Sequence, residues 1–200
     1  MFTGIVQGTG TVVSVTKGEA VWTFAIDLPD TNGLQRGASV AVQGVCLTAT
    51  DIAGSCVHFG VIPETMERTT LSSLHEGSEV NIERSLKMGD ELGGHLLSGH
   101  IMATGTVDRR MVVGEGVDLQ IGVPADLMKY INEKGYIALN GASLTVGTVS
   151  ERAFIVHLIP ETLRLTTFGS AQVGDGINIE IDAMMQTVVV TVERILKQDG

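Results

Sequence analysis

Short apolar-rich runs recur at regular spacing along most of this chain, separated by polar turns of Gly, Asp or Asn. The runs are GTVVSV (10–15), AVWTFAIDL (20–28), ASVAV (38–42), CLTAT (46–50), CVHFGVI (56–62) and EVNIER (79–84). Short runs of this kind between turn residues predict strands. A second set follows in the same order: IMATGTV (101–107), VDLQIGV (117–123), YIAL (136–139), SLTVG (143–147), FIVHLI (154–159) and INIEI (177–181). Six strands per half, with few helical stretches, suit a small closed β-barrel, which leaves no unpaired sheet edge. ETMERTTLSSL (64–74) and ETLRLTTFGS (161–170) are each read as holding a helical turn between strands. ADLMKYINEKG (125–135) reads as a short helix ending at Gly135.

From Asp182 the period changes. Met185, Val188, Val189, Val192, Ile195 and Leu196 recur at spacings of three and four, with Asp182 placed as N-cap and Arg194 and Lys197 near the negative C-terminal end. This predicts a helix, although TVVVTV is also rich enough in β-branched residues for a strand. Both barrels are complete without it, so its apolar stripe is expected to pack against other subunits.

The halves are related by an internal repeat. PETMERTTLSSLHEGSEVNIE (63–83) and PETLRLTTFGSAQVGDGINIE (160–180) share ten of 21 positions at an offset of 97. VQGVCLTAT (42–50) falls on LNGASLTVG (139–147) at the same offset, and FTGIVQGTGTV (2–12) on LSGHIMATGTV (97–107) at an offset of 95. Two compact modules fit better than a solenoid, which needs three or more repeats. The expected division is 1–87 for the first barrel, 88–182 for the second and 183–200 for the helix and tail.

Composition narrows the function. Thirteen Lys and Arg against 23 Asp and Glu leave a formal charge of −10, which argues against nucleic acid as a partner. Hydrophobic residues make up 44% of the chain, enough for a core and for a subunit interface. The 25 glycines, against a usual ~7%, go with short strands and tight turns and exclude rods and disorder. No stretch approaches the ~18 apolar residues of a membrane span, and MFTGIVQGTG has no features of a signal peptide. Cys46 and Cys56 are therefore expected as two free thiols in the cytoplasm, with a disulfide as the alternative.

Metal-ligand spacings such as CxxC and HExxH are absent, and GTGTVV lacks the setting of a dinucleotide loop. His95 and His100 would face opposite ways on one regular strand. Thr48 and Thr145, Glu64 and Glu161, and Thr65 and Thr162 occupy matching places in the repeat. They are candidates either for shared ligand contacts or for turn and strand roles. The reactive residues are not shared: Cys46 falls opposite Ser143, and His100 opposite Ile5. Two similar sites with unequal chemistry are the expectation.

MFTGIV at the start, G-x-C-L-T at 44–48, GGHLLSGHIM at 93–102, G-x-S-L-T at 141–145 and HLIPET at 157–162 together resemble the riboflavin synthase family over the whole chain. The resemblance implies an all-β chain of two tandem Greek-key β-barrels and a C-terminal α-helix that gathers three chains into a homotrimer. It implies dismutation of two 6,7-dimethyl-8-ribityllumazine molecules, one donating a four-carbon unit to the other. The products are riboflavin and 5-amino-6-ribitylamino-uracil, with no metal or organic cofactor. Each active site would form between barrels of adjacent subunits, and some members associate with lumazine synthase. The rival within the resemblance is a non-catalytic lumazine- or flavin-binding antenna protein.

Carried over, the resemblance assigns Gly4, Ile5 and Val6, then Cys46, Leu47 and Thr48, then Gly60 to Thr65 with Ile62, to the first barrel's pocket. To the second it assigns Gly99, His100 and Ile101, Lys134, Ser143, Leu144 and Thr145, and Ile159, Pro160, Glu161 and Thr162. His100 is expected to handle protons, while Cys46, Ser39 or a water supplies or steers the added nucleophile. Phe2 is expected to close the pocket, and Asp182 to orient a partner or cap the helix. Gln43 and Asn140 stand where the family pattern has Asn and Asp, which puts any role for a carboxylate at 140 in doubt. Gly60 stands where some relatives carry Asp.

Overall fold

The computed structural model describes residues 1–198; the last two residues of the 183–200 segment lie outside the described residues. The first half contains β1 (Gly8–Thr16), β2 (Trp22–Asp27), β3 (Ser39–Val42), β4 (Val45–Ala53), β5 (Cys56–Val61), the short helix α1 (Pro63–Arg68) and β6 (Glu79–Arg84). The second repeats them as β7 (Ala103–Val113), β8 (Gly116–Gly122), β9 (Tyr136–Leu139), β10 (Ala142–Val149), β11 (Ala153–Leu158), α2 (Pro160–Leu165) and β12 (Gly176–Ile181). The C-terminal helix α3 spans Ala183–Gln198.

Each half closes into a six-stranded antiparallel barrel, in the order β1-β2-β5-β4-β3-β6 and its counterpart β7-β8-β11-β10-β9-β12. Strands β3, β4 and β5 follow one another and β6 returns beside β3, which is the Greek-key order. The pairing slips between Val12 and Ser14 in β1 and between Val107 and Arg109 in β7. It slips again between Ala49 and Asp51 in β4 and between Val146 and Val149 in β10. Such bulges bend a strand and sharpen its twist, so the repeat bends its sheet shut at matching places. Inward positions fill the barrels, with Phe24, Ile26 and Phe59 in the first and Leu119, Ile121 and Phe154 in the second.

Two helical expectations resolve differently. The 125–135 segment is a 3-10 turn over Ala125–Tyr130 rather than a helix to Gly135. The Lys134 amide is taken by the Val146 carbonyl (2.9 Å), and Lys134 adopts φ 66°, so the chain is drawn toward β10 before another turn can form. The tail, in contrast, is helical. Asp182 Oδ1 accepts the Met185 amide (2.8 Å), the expected N-cap. No residue of α3 is buried, and Met184, Val188, Val192, Ile195 and Leu196 all stay exposed. No helix among the described residues is long and apolar enough to cross a membrane.

The barrels meet across an approximate two-fold axis. The β3–β4 turn has φ 49° at Gln43 and 79° at Gly44, and the β9–β10 turn has φ 45° at Asn140 and 83° at Gly141. Positive φ at both central residues is the geometry of a primed hairpin turn. The turns touch backbone to backbone: a Cβ on Gly44 would lie 2.5 Å from the Gly141 nitrogen. Around them, the Asn81 amide donates to Gln43 Oε1 and the Asn178 amide to Asn140 Oδ1 (3.0 and 2.8 Å). The side chains then cross over, Asn81 Nδ2 to the Asn140 carbonyl and Asn178 Nδ2 to the Gln43 carbonyl (3.0 and 2.9 Å). Asn140 therefore serves as an acceptor inside the inter-barrel contact.

Replacing Asn178 with Ala removes the donor to Gln43 and the acceptor of the Thr70 amide together. It is expected to cost about 2–4 kcal/mol in urea unfolding, because both partners are left without a bond in a buried contact. A loss below about 0.5 kcal/mol, the usual range for a neutral surface change, would show that the cross-over bonds do not hold the barrels together.

Candidate active site

The segments preceding each barrel are exchanged. Phe2 pairs with Leu97 as an antiparallel bridge (2.9 and 3.0 Å), so the chain around Phe2 and the chain around Leu97 run side by side across the two-fold axis. Beyond that bridge each segment turns onto the opposite barrel. The Gly4 carbonyl accepts the Ser143 amide of β10 (2.8 Å), and the Gly99 carbonyl accepts the Cys46 amide of β4 (2.9 Å). Val6 enters the second barrel's core, and Ile101 packs against the first.

A buried carboxylate at the end of each repeat holds these turns. Glu83 accepts the Thr3 amide, the Thr3 hydroxyl and the Gly4 amide (2.6, 2.8 and 3.0 Å). Glu180 accepts the same groups of Ser98 and Gly99 (2.6, 2.7 and 3.0 Å). Burial raises the Glu83 carboxyl above its ordinary value, opposed by the bonds from Thr3 and Gly4. Gly4 and Gly99 have φ of 75° and 78°, and a Cβ on them would lie 2.5 Å from the Cβ of Ser143 and of Cys46. Only glycine lets the turns lie this close.

The grouping of site residues expected from the sequence is thereby corrected. Gly4, Ile5 and Val6 do not line the first barrel's pocket; they form a cavity of about 210 Å³ with Ser143, Leu144, Ile159, Glu161 and Thr162 of the second. Gly99, His100 and Ile101 belong instead with Cys46 of the first barrel. His100 is exposed, in a cavity of about 280 Å³ with Arg68, Ile101, Met102 and Gln186. The thiol-bearing strand and the imidazole-bearing turn thus meet on one barrel. The physical reason is the Phe2–Leu97 pairing, which turns both segments outward over the opposite barrel.

Other expected residues divide. Ser39 lies opposite Thr48 in the β3–β4 ladder, two residues from Cys46 and on its face of the sheet. Leu47 points inward, at 5% exposure. Gly60 lies on β5, Ile62 is exposed ahead of α1, and Thr65 lies in the first turn of α1 beside the Glu64–Arg68 pair. Pro160 opens α2, where Arg164 holds the Glu161 carboxyl below its ordinary value. Thr145, like Thr48, is exposed on its strand. Lys134 lies at an exposed turn rather than in the described cavity of its barrel. Phe2 does not close a pocket: it is 1% exposed and packs with Ala41, Leu97 and Ala138 between the barrels.

Sequence reasoning missed Glu83 and Glu180, although their signal was present as the shared last residue of the longest repeat block. It weighed His95 only as a metal ligand, whereas the residue is buried (6% exposed) and places Nδ1 2.7 Å from Ser143 Oγ. Cys46 and Cys56 are free thiols; burial, then Asp27, raises that of Cys56. Replacing Glu180 with Ala is expected to raise amide hydrogen exchange at Gly99 at least about tenfold while Gly4 stays protected. Glu83→Ala should do the reverse. Equal deprotection of both glycines in either variant would contradict separate anchoring.

Comparison with known proteins agrees with this geometry. The lumazine binding domain profile matches twice, over residues 3–85 and 98–182. The chain is 49% identical over 199 residues to riboflavin synthase of Escherichia coli K12, covering 98% of this chain and 93% of that protein. It is 43% identical over 202 residues to riboflavin synthase of Chlamydia pneumoniae, covering 100% and 99%. Among solved structures, LumP complexed with riboflavin superposes with a TM-score of 0.85 at 28% identity, over 91% of this chain and 100% of that one. LumP complexed with 6,7-dimethyl-8-(1'-D-ribityl) lumazine gives 0.83 at 27% identity. By sequence over its whole length and by its paired barrels, the chain belongs to the riboflavin synthase family of two-repeat lumazine-binding proteins.

Proposed function

We propose that the chain is a riboflavin synthase. Two molecules of 6,7-dimethyl-8-ribityllumazine dismutate: a four-carbon unit passes from one to the other, giving riboflavin and 5-amino-6-ribitylamino-uracil. One observation carries the reading. Each barrel has a turn from the other half's leading segment seated on it by the same backbone bond, and only one of these contacts brings a thiol-bearing strand, at Cys46, against an imidazole-bearing turn, at Gly99–His100. Two copies of one substrate need two like pockets, and unequal fates need unequal side chains.

In this reading backbone groups of the Gly4–Val6 and Gly99–Ile101 turns bind the pteridine edges. The side chains of Thr48, Thr65, Thr145 and Thr162 contact ring carbonyls or ribityl hydroxyls. His100 takes the proton from the acidic C7 methyl of one lumazine, and addition at C7 of the other by Cys46, Ser39 or water activates it for attack. Residues 1–87 and 88–182 act as the two lumazine-binding units, with lumazine as substrate and riboflavin as product. The exposed face of α3 supports assembly into a trimer through 183–200, with active sites completed between barrels of neighbouring subunits. A cytoplasmic setting and association with lumazine synthase belong to the same reading.

Incubation of the purified protein with 6,7-dimethyl-8-ribityllumazine should yield riboflavin. His100→Gln should lower kcat roughly 10²-fold if His100 is the acid–base group; a loss below about threefold removes it from that role. Tight fluorescent binding with no riboflavin formed would place the chain with the non-catalytic binders instead. Deletion of residues 183–200 should convert trimers to smaller species in sedimentation, and an unchanged subunit number would refute the helix as the trimer contact.

A further inference from the structure

His95 does not belong to either repeat's pattern. It lies five residues before His100 and two before the repeat block at 97–107. Its ring is stacked on Tyr136, with centroids 5.1 Å apart and planes 20° from parallel. Its amide donates to the Thr3 carbonyl (3.1 Å), which ties it to the exchanged segment. Gly94 makes this approach possible, because a Cβ there would lie 2.7 Å from the Cβ of Ser143 and 2.9 Å from its Oγ.

The two ring nitrogens have different surroundings. Nδ1 is 2.7 Å from Ser143 Oγ, whereas Nε2 is buried with no hydrogen-bond partner among the described residues. A buried N–H without an acceptor is rarer in proteins than a buried acceptor without a donor. The neutral tautomer that suits this pocket therefore carries its proton on Nδ1 and leaves Nε2 as the bare acceptor. Burial lowers the ring's proton affinity, against a smaller opposing effect of Asp182, and this favours the neutral form.

We propose that His95 is a positioning residue that sets the polarity of Ser143: Nδ1–H donates to Ser143 Oγ and leaves the serine hydroxyl proton free to donate into the second barrel's cavity. With the opposite tautomer, Ser143 would spend its proton on the imidazole and present only an acceptor. Ser143 lines that cavity beside Gly4 and Ile5, so its free O–H is directed at a ligand acceptor such as a ring carbonyl or ring nitrogen. The freed O–H donor distinguishes the second site from the first, where Cys46 occupies the matching place and a thiol is a weak donor. This inference rests on the synthase reading, and wild-type turnover tests that reading separately from the variants below.

The tautomer is read directly from the ¹⁵N chemical shifts and couplings of the His95 ring in the wild-type protein, with no substitution needed. A protonated Nδ1 is the expected result, and a protonated Nε2 overturns the proposal. A double-substitution cycle supplies the functional test. His95→Leu and Ser143→Ala should each lower kcat/KM about tenfold, and the double variant should be no slower than either alone. His95→Asn, whose side-chain amide can place an N–H where Nδ1–H stood, should recover most of the loss of His95→Leu. Multiplying losses in the cycle, or equal losses for the Asn and Leu variants, would assign His95 a packing role only.

Discussion

The backbone contact between the Gln43–Gly44 and Asn140–Gly141 turns sets the spacing of the two barrels, because no side chain can be inserted there. Both turns need positive φ at two successive residues, and both present main-chain groups to the other half. The crossed bonds of Asn81 and Asn178 then fix the rotation of one barrel against the other. With distance and rotation fixed, a segment leaving one barrel reaches a defined strand of the other. The exchange of the Gly4 and Gly99 turns depends on that geometry, and so does every pocket residue they carry.

The exchange changes what the duplication means chemically. Equivalent carboxylates, Glu83 and Glu180, hold equivalent turns against equivalent strands, so the two pockets share a backbone plan. They diverge at a few side chains. The first barrel combines Cys46 with the turn bearing His100, whereas the second combines Ser143 with the turn bearing Ile5 and adds a buried His95 behind the serine. A shared plan suits recognition of the same molecule twice. Divergence at the side chains nearest the turns suits different treatment of the two copies.

Much of this was legible in the sequence, because strand periodicity and a repeat are local or pairwise patterns. All twelve strands fall on the short runs between turn residues, and Cys46 against Ser143 follows from the offset alone. The N-cap at Asp182 was equally readable, since a cap acts within one turn. The exchange was not, because the repeat aligns Phe2 with Leu97 but says nothing of the two segments pairing with each other. Phe2 was misjudged for the same reason: an aromatic residue at the chain start is exposed unless a distant segment covers it. His95 was judged only as a metal ligand, and its actual partner, Ser143, is 48 residues away in a different strand. At 125–135 the local helical pattern was overridden by a tertiary bond, from the Lys134 amide to Val146.

These contacts also bear on where one unit ends and the next begins. A division between β6 and β7 separates the strands into two closed sheets. It does not divide the pockets. The turn seated on the first barrel's β4 comes from residues 99–101, and residues 4–6 line the cavity of the second barrel. Each turn is anchored by a carboxylate of its own barrel and placed against a strand of the other. The unit that folds as a sheet and the unit that recognises a ligand are therefore different sets of residues. Their overlap across the two-fold axis makes the pair of barrels, rather than either barrel, the smallest part of this chain that holds both exchanged turns against their strands.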